Sequence, residues 1–508
     1  MKAIAPHLLV LLAFVGPIHA DEAVDAARAY RAENGPAILA AFAEFLAIPN
    51  VASDLPNIER NAAYIRAALE ARGATVELWH QDGVPPIVFG ELLSAGAQST
   101  LGVYMHYDGQ PVVPDQWAQN PWRPTLYDSS LETGGSPIPF PNRGEAIDPE
   151  WRIYGRGAGD DKAPLPAILG ALDALEAAGI DRTVNLKFFF EGEEEAGSDH
   201  LEQYMRDHRE QLDVDLWLIC DGPVHQSRRP QLVFGVRGYT GFEVTVYGAN
   251  RYLHSGHYGN WAPNPALALA DLLAGMKDAA GNVVIEGFYD DTVPPGPAEK
   301  KALSLLPEID DTLRDELQLG PKSTDGAGAS LAERLLLPSL NIRGLVSAAV
   351  GPQGRNIIPT EATASLDIRL VKENDPTRML DVVEAHIAGA GYHVVRETPD
   401  ADTRRAHRRI AKIVRSSGYP AARTAMDDPQ AAGVIDAARN VAGDDLILMP
   451  SLGGSLPLYL FNDLLHSPVV IVPIANHDDN QHAPDENLRL ANLWYGIDLM
   501  AALFTSGP

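Results

Sequence analysis

The chain has 508 residues, a formal net charge of −28, 45% hydrophobic and 21% charged residues. That length exceeds what one compact core holds, so two domains are the default. The acidic balance excludes nucleic-acid binding, which needs a basic face. The single cysteine, Cys220, excludes an intramolecular disulfide.

The N-terminus reads MKAIAPHLLVLLAFVGPIHA and carries one Lys, an apolar run over 8–15, then Gly16-Pro17 and Ala20 before an acidic start. Residues 1–20 read as a secretory signal peptide cleaved after Ala20. The run is too short for a stable membrane span, and an uncleaved anchor is the alternative. No twin-Arg pair precedes it, which points to general secretion. The expectation is an exported protein, periplasmic or secreted, with no membrane attachment after cleavage.

Residues 21–50 predict a helix ended by Pro49, and 57–72 an amphipathic helix ended by Gly73. Strands follow at 75–79, 87–92 and 100–105, the last running straight into His106-Tyr107-Asp108. Residues 127–151, rich in Gly, Pro and Ser, read as a long surface loop. Next come YGRGAGDDKAP (154–164), a helix over 165–178 and an apolar strand over 184–190. That strand stops at Glu191, Glu193, Glu194 and Glu195, and Ala196-Gly197-Ser198 turns into a helix beginning near Ser198. A strand over 214–220 ends at Asp221. Strands alternating with helices define an α/β sheet with helices on its faces.

The pattern changes near Leu232. Residues 232–248 alternate as an antiparallel strand, 264–277 are helical, and 281–336 are a long irregular stretch. A strand over 362–371, a helix over 376–388 and a strand over 392–397 complete what reads as a small two-layer α+β domain inserted between halves of the first. Helix–strand alternation returns from 398, with a helix over 404–416, strands at 446–449 and 469–472, and a final helix over 487–504. The domain limits expected are 21–231 and 398–508 for the two catalytic parts and 232–397 for the insertion.

Open α/β sheets place their sites at the C-terminal ends of strands. There stand His106 and Asp108, Asp160 and Asp161, Glu194 and Glu195, and Asp221, with His482 in HDDNQHAPDENL. Any one of these has an ordinary structural reading, and an acidic run by itself is a solvated turn. Imidazoles and carboxylates closing different elements of one sheet suit zinc or a neighbouring transition metal. A two-metal hydrolytic site needs a bridging carboxylate and a base for the water. In His106-x-Asp108, the carboxylate can hold the ring while the other nitrogen binds metal.

HYDGQP, YGRGAGDDKAP, EGEEEAGS, the Asp221 strand end, YLHSGHYG, GGSLP and QHAPDEN occur in this order between His106 and Asn487. Together they resemble the dinuclear zinc metallopeptidase family of carnosinase-type dipeptidases, carboxypeptidase G, aminoacylase and succinyl-diaminopimelate desuccinylase. HYDGQP and GGSLP look most like the carnosinase-type branch. The resemblance implies a zinc-peptidase catalytic domain, a central mixed sheet flanked by helices, with the inserted domain serving for dimerisation. It implies two divalent ions, zinc first, with manganese or cobalt as alternatives.

By the same resemblance, His106 and Asp221 bind one metal, Glu195 and His482 the other, and Asp160 bridges both. Asp160-Asp161 would be joined by a cis peptide. Glu194 is the general base and Asp108 orients His106. His254 reaches an active site, commonly the partner subunit's, and stabilises the oxyanion; its plain alternative is capping the turn at Ser255-Gly256. Asn356 and Arg369 would bind the substrate's backbone and carboxylate, although Arg369 also suits a solvated strand position. Gly453, Gly454 and Ser455 offer N–H groups to an anion, or form a plain turn. His257, His466 and His477 have no assigned place. Ala163 stands where the family has Gly, and YGNWAP (258–263) where a second Gly is common, which touches access and specificity.

The activity expected is hydrolysis of a dipeptide or short peptide bearing a free carboxylate, by a homodimer joined through the inserted domain. An N-acyl-amino-acid deacylase with the same metal site is the alternative. A binding protein without activity would lack the base, and Glu194 argues against it.

Overall fold

The computed structural model describes residues 18–320 and 329–507, with the side chains described from Asp21 onward. The leader expected over 1–20 therefore falls almost wholly outside the described residues, as does part of the irregular stretch expected over 281–336. The chain folds as two compact units. One comprises residues up to Leu232, Asp427–Leu446 and the segment from Val470 on; the other comprises Val233–Met426 and Ile447–Val469.

In the first unit, the strand Val184–Glu191 runs parallel to Ser99–His106, which runs parallel to Leu216–Ile219. Ile87–Leu92 and Thr75–Trp79 add antiparallel strands at one edge. Parallel strands buried on both faces need continuous apolar sequence, and Phe188, Phe189, Phe190, Leu216, Trp217, Leu218 and Ile219 are all fully buried. Gly102 is required where it stands, because a Cβ there would meet the Trp217 ring at 2.3 Å. The parallel register puts His106 opposite Glu191. Two neighbouring strands thus deliver polar groups to one end of the sheet, and Asp221 follows the third.

Helices Ile18–Leu46, Pro164–Ala178 and Leu490–Ser506 pack against one another. The last is buried nearly all round, which explains its apolar sequence. Its buried Asp498 is held by Arg28 at 3.1 Å and Arg31 at 2.8 Å. The helix Leu55–Glu70 starts at Asp54, whose side chain accepts from the Asn57 N–H, and it buries Ile58, Ala62, Ile65 and Leu69.

A second, four-stranded sheet is centred on Thr125–Tyr127 and Arg152–Tyr154, with Asn487–Arg489 pairing antiparallel to the latter. The final helix accordingly starts at Leu490 rather than Asn487. The loop expected over 127–151 holds a 3-10 turn, Leu131–Thr133, and a short strand, Pro137–Ile138, and is irregular elsewhere. The helix expected from Ser198 starts at Leu201, after Ser198 has taken a positive φ of 54°.

The second unit carries a five-stranded sheet in the order Ser339–Val346, Glu361–Leu370, Gly238–Tyr247, Ile410–Arg415, His393–Val395. All pairs are antiparallel except the last. Helices Pro265–Ala274 and Pro376–Gly389 contribute Leu269, Leu272, Val383 and Ile387 to one core with Phe242, Val244, Leu366 and Ile368. This is the expected two-layer α+β domain.

Its downstream limit differs from the expected 397/398. The helix expected over 404–416 is instead a short helix, Ala401–Ala406, followed by the strand Ile410–Arg415. Burial alternates there, with Ala411 and Ile413 buried and Val414 47% exposed, and the strand pairs with Phe242–Val246. A period of two is masked there by a run of helix-favouring residues. The chain therefore returns to the first unit at Asp427. It does so through a helix absent from the sequence-based expectation, Pro429–Ala442, capped by Asp428 and burying Ala431, Val434 and Ala438. Within the stretch expected to be irregular lie three short helices, Pro297–Leu303, Asp310–Glu316 and Leu331–Leu335. No helix among the described residues is long and apolar enough to cross a membrane.

Candidate functional site

Two sets of donor atoms meet at the C-terminal end of the parallel strands. His106, Asp160 and Asp221 form one, and Asp160, Glu195 and His482 the other, each with its donor atoms within 4.8 Å of one another. Asp160 belongs to both. Its Oδ1 lies 2.9 Å from His106 Nε2 and its Oδ2 lies 3.1 Å from His482 Nε2. His482 Nε2 is also 3.2 Å from Glu195 Oε2, and His106 Nε2 is 3.9 Å from Asp221 Oδ2. The peptide bond between Asp160 and Asp161 is cis.

Asp108 is fully buried. Its Oδ1 lies 3.5 Å from His106 Nδ1, the nitrogen turned away from the donor cluster. The same carboxylate accepts the backbone N–H groups of Glu194 and Glu195, each at 3.0 Å. One side chain thus fixes the ring of a prospective ligand and the turn that carries both glutamates. Of the other acidic residues in that turn, Glu191 is buried and accepts the Tyr104 hydroxyl at 2.6 Å. Glu193 pairs with His200 Nδ1 at 2.9 Å. Neither belongs to the donor sets.

Burial governs the electrostatics. It pulls the His106 imidazole down, but hydrogen bonds to Asp108 and Asp160 outweigh it and hold the ring well above its ordinary value. Burial pushes Asp221 up to about 6 and Glu191 up to about 7. It also raises Glu194, helped by Asp221, Glu191 and Asp160. Hydrogen bonds to Asp160 and Glu195 push His482 up to about 10. More carboxylates converge here than two imidazoles can balance, which is the chemistry of a divalent-cation site. The donor set fits the metals.

Several supports carried no sequence signal beyond their place in a motif. Gln110 Nε2 donates to Glu195 Oε2 at 2.7 Å, and Gln481 Nε2 donates to Asp160 Oδ2 at 2.7 Å. Glu486 is fully buried and accepts backbone N–H groups from Gly157, Gly159 and Asp160, each at 2.9 Å, and the Arg156 guanidinium at 2.7 Å. The loop bearing His482 holds Asn480, His482 and Asp485 at φ near 60°. Non-glycine residues in that region cost about 1–3 kcal/mol each and persist where surrounding contacts dictate them. Here Asp479 accepts the Gln481 N–H at 2.9 Å and Asp485 accepts the Ala118 N–H at 2.8 Å.

The remaining candidates lie in the second unit. His254 is exposed, and its Nδ1 accepts the Gly256 N–H at 3.1 Å, so the turn cap is real in this structure. Asn356 is exposed, with its carbonyl accepting from Ser255 N–H. Arg369 Nη1 donates to Ser455 Oγ at 2.7 Å, next to Gly453 and Gly454. That contact brings together residues 86 positions apart. His477 is separate from both donor sets.

Carboxylates and imidazoles sharing one Asp, with a half-buried glutamate, Glu194, on the adjoining turn, define a metal-dependent hydrolase. Residues 102–506 match the model of Peptidase family M20/M25/M40, and the chain belongs to that family. A Homo sapiens protein, Beta-Ala-His dipeptidase, is 28% identical over 468 residues, covering 90% of this chain and 86% of that protein. The Schizosaccharomyces pombe Cys-Gly metallodipeptidase dug1 is 27% identical over 481 residues, covering 89% and 92%. Among solved structures, the M20 family metallo-carboxypeptidase Sso-CP2 from Sulfolobus solfataricus superposes with a TM-score of 0.70 at 26% identity, covering 92% of this chain and 98% of that one. Human carnosine dipeptidase 1 shares the fold, with a TM-score of 0.65 at 24% identity, covering 95% and 99%. By family and by donor set the chain is a metal-dependent peptidase.

Proposed function

We propose that this protein is a dinuclear dipeptidase that cleaves short peptides ending in a free carboxylate. The observation that carries the reading is the pair of donor sets sharing Asp160, with Glu194 on the turn held by Asp108. Zinc, with manganese or cobalt as substitutes, would be held by His106, Asp160 and Asp221 and by Asp160, Glu195 and His482, there to polarise the scissile carbonyl and acidify a water. Glu194 takes the proton from the attacking water and hands it to the leaving amine. His254 donates to the developing oxyanion, a contact worth about 3–4 kcal/mol. Arg369, Asn356 and the Gly453–Ser455 loop hold the substrate's carboxylate and backbone.

The assembly is a homodimer through the second unit. Supporting this is the edge strand Ser339–Val346, whose Ile342, Leu345 and Val346 are 47%, 61% and 64% exposed. An apolar edge strand is a template for pairing with another chain. Export is supported by the leader-like composition of residues 1–20.

Deacylation of N-acyl amino acids would use the same metals with a different acyl pocket, and the dipeptidase names of the relatives favour peptide cleavage. A panel of dipeptides assayed beside N-acyl amino acids, with zinc, manganese or cobalt added in turn, tests the reading. Turnover should concentrate on dipeptides and vanish with a chelator. Faster turnover of N-acyl amino acids would replace the dipeptidase reading with the deacylase one.

A further inference from the structure

Beside Arg369 lies a second guanidinium that no motif singled out. Arg237 is 6% exposed. Its Nη2 donates to Leu337 O at 2.7 Å, Ser339 Oγ at 3.0 Å and Arg369 O at 3.4 Å. Its own backbone N–H donates to Gly454 O at 3.0 Å. These acceptors are all neutral. Nε of Arg237 is buried and has no acceptor, and no ion pair involves Arg237 among the described residues. Arg369 has a carboxylate partner, with Nε 3.5 Å from Asp367 Oδ2. Asp367 is buried and also accepts from Asn341 Nδ2 at 3.1 Å.

Two cations therefore lie near one carboxylate, Arg237 buried and Arg369 with 36% of its side chain exposed. Burying an unbalanced charge is costly, and the cost falls when an anion arrives. Burial, and then the neighbouring Arg369, push the Arg237 guanidinium down to about 10. The Arg369 guanidinium lies 5.5 Å from the Tyr239 ring centroid and bonds to Ser455, beside the Gly453-Gly454 turn. The excess charge is thus stored behind the group that meets an anion, and Arg237 is tied to that turn through Gly454.

We propose that Arg237 is a specificity-determining residue: its uncompensated charge behind Arg369 selects substrates that end in a free carboxylate over those that end in a neutral group. The inference rests on the reading of Arg369 as the carboxylate contact. Arg369 makes the direct contact, and Arg237 acts through it and through the turn at Gly454.

The test compares kcat/KM for the best dipeptide of the panel with that for its C-terminal amide. Wild type should favour the free carboxylate. Arg237→Gln keeps an amide donor for Leu337 and Ser339 but removes the charge. It should reduce the preference by roughly tenfold, through KM for the carboxylate substrate, leaving the amide nearly unchanged. Arg237→Lys should restore most of the preference. A merely structural Arg237 would lower both substrates by one factor, and an unchanged ratio would overturn the proposal. Asp367→Asn provides an arm that does not depend on Arg237→Gln folding: it raises the charge excess by one and should raise the ratio, and a ratio that stays or falls counts against the proposal. If wild type cleaves dipeptide and amide equally, the Arg369 reading itself fails, a result distinct from an unchanged ratio in Arg237→Gln.

Discussion

Glu486 holds Asp160 by the backbone. One of its oxygens, Oε1, accepts the N–H groups of both Gly159 and Asp160 at 2.9 Å, while Oε2 accepts from Gly157 at 2.9 Å and Arg156 at 2.7 Å. The strand Asn487–Arg489 continues from it into antiparallel pairing with Arg152–Tyr154. One buried carboxylate therefore ties the Asp160 segment to the His482 segment, beside the strand pairing and the Gln481–Asp160 hydrogen bond. Glu486→Gln would turn an N–H donor toward other donors and leave Arg156 without its charge partner. Breaking a buried pair of this kind costs about 3–5 kcal/mol. The expected outcome is a lower unfolding midpoint together with weaker metal retention on dialysis. A variant that unfolds as wild type does and keeps its metal would show that the Asp160 loop stands without this anchor.

Glu194 and Glu195 are adjacent, share the Asp108 anchor, and differ in placement. Glu195 Oε2 faces His482 within 3.2 Å, whereas Glu194 belongs to neither donor set. Glu194→Gln should leave bound metal near wild type and reduce hydrolysis by about 10²–10⁴-fold, the usual share of a general base. Glu195→Gln should lose metal as well as activity. Elemental analysis beside single-substrate kinetics separates the two, and wild-type turnover in Glu194→Gln would remove it from the role of base.

In the proposed homodimer, His254 would serve either its own subunit's site or the partner's. Its side chain is exposed and caps its own turn at Gly256, a contact it can keep while Nε2 meets a ligand. His254→Ala should lower kcat by about 10²-fold or more with metal content unchanged. Mixing His254→Ala with Glu194→Gln subunits should restore part of the activity if the histidine acts across the dimer, because one site of the hybrid then holds both intact groups. Activity that stays at the level of the parents would place His254 in its own subunit's site.

Three of the donor residues, His106, Glu195 and Asp221, were legible because each closes or follows a strand whose pattern is plain. His106 closes an apolar strand, Glu194 and Glu195 follow the Val184–Glu191 strand, and Asp221 follows Leu216–Ile219. Chain order and motif then brought in Asp160 and His482. The supports were not legible in the same way. Glu486, Gln110 and Gln481 act through backbone or amide contacts formed between segments as far apart as 329 residues, and no local spacing encodes such a contact. Arg237 immediately precedes the strand that starts at Gly238, and only the fold shows that its side-chain hydrogen-bond acceptors are all neutral. The strand at Ile410–Arg415, expected as helix, has another cause. Its buried Ala411 and Ile413 sit among Lys and Arg residues that suit a helix, and tertiary pairing with Phe242–Val246 decides the outcome.

Acid should loosen the second unit through Glu384. Burial raises its pKa, but hydrogen bonds from Arg415 and Arg396 outweigh that and bring it from an ordinary 4.5 down to about 2. Arg415 Nε donates to Oε1 at 2.7 Å and Arg396 Nη2 to Oε2 at 2.6 Å. The folded-state value is depressed, so the unfolded state binds the proton more readily. The contribution is fully present above about pH 4.5 and is lost as pH falls through about 2. The Arg396 side chain is 54% exposed, so solvent screens part of the effect, and about 1–2 kcal/mol remains a reasonable magnitude for Glu384→Gln near neutrality. Urea midpoints of wild type and Glu384→Gln should differ at pH 6 and converge as the pH approaches 2. A gap of constant size across that range would mean that Glu384 stabilises by packing rather than by its charge.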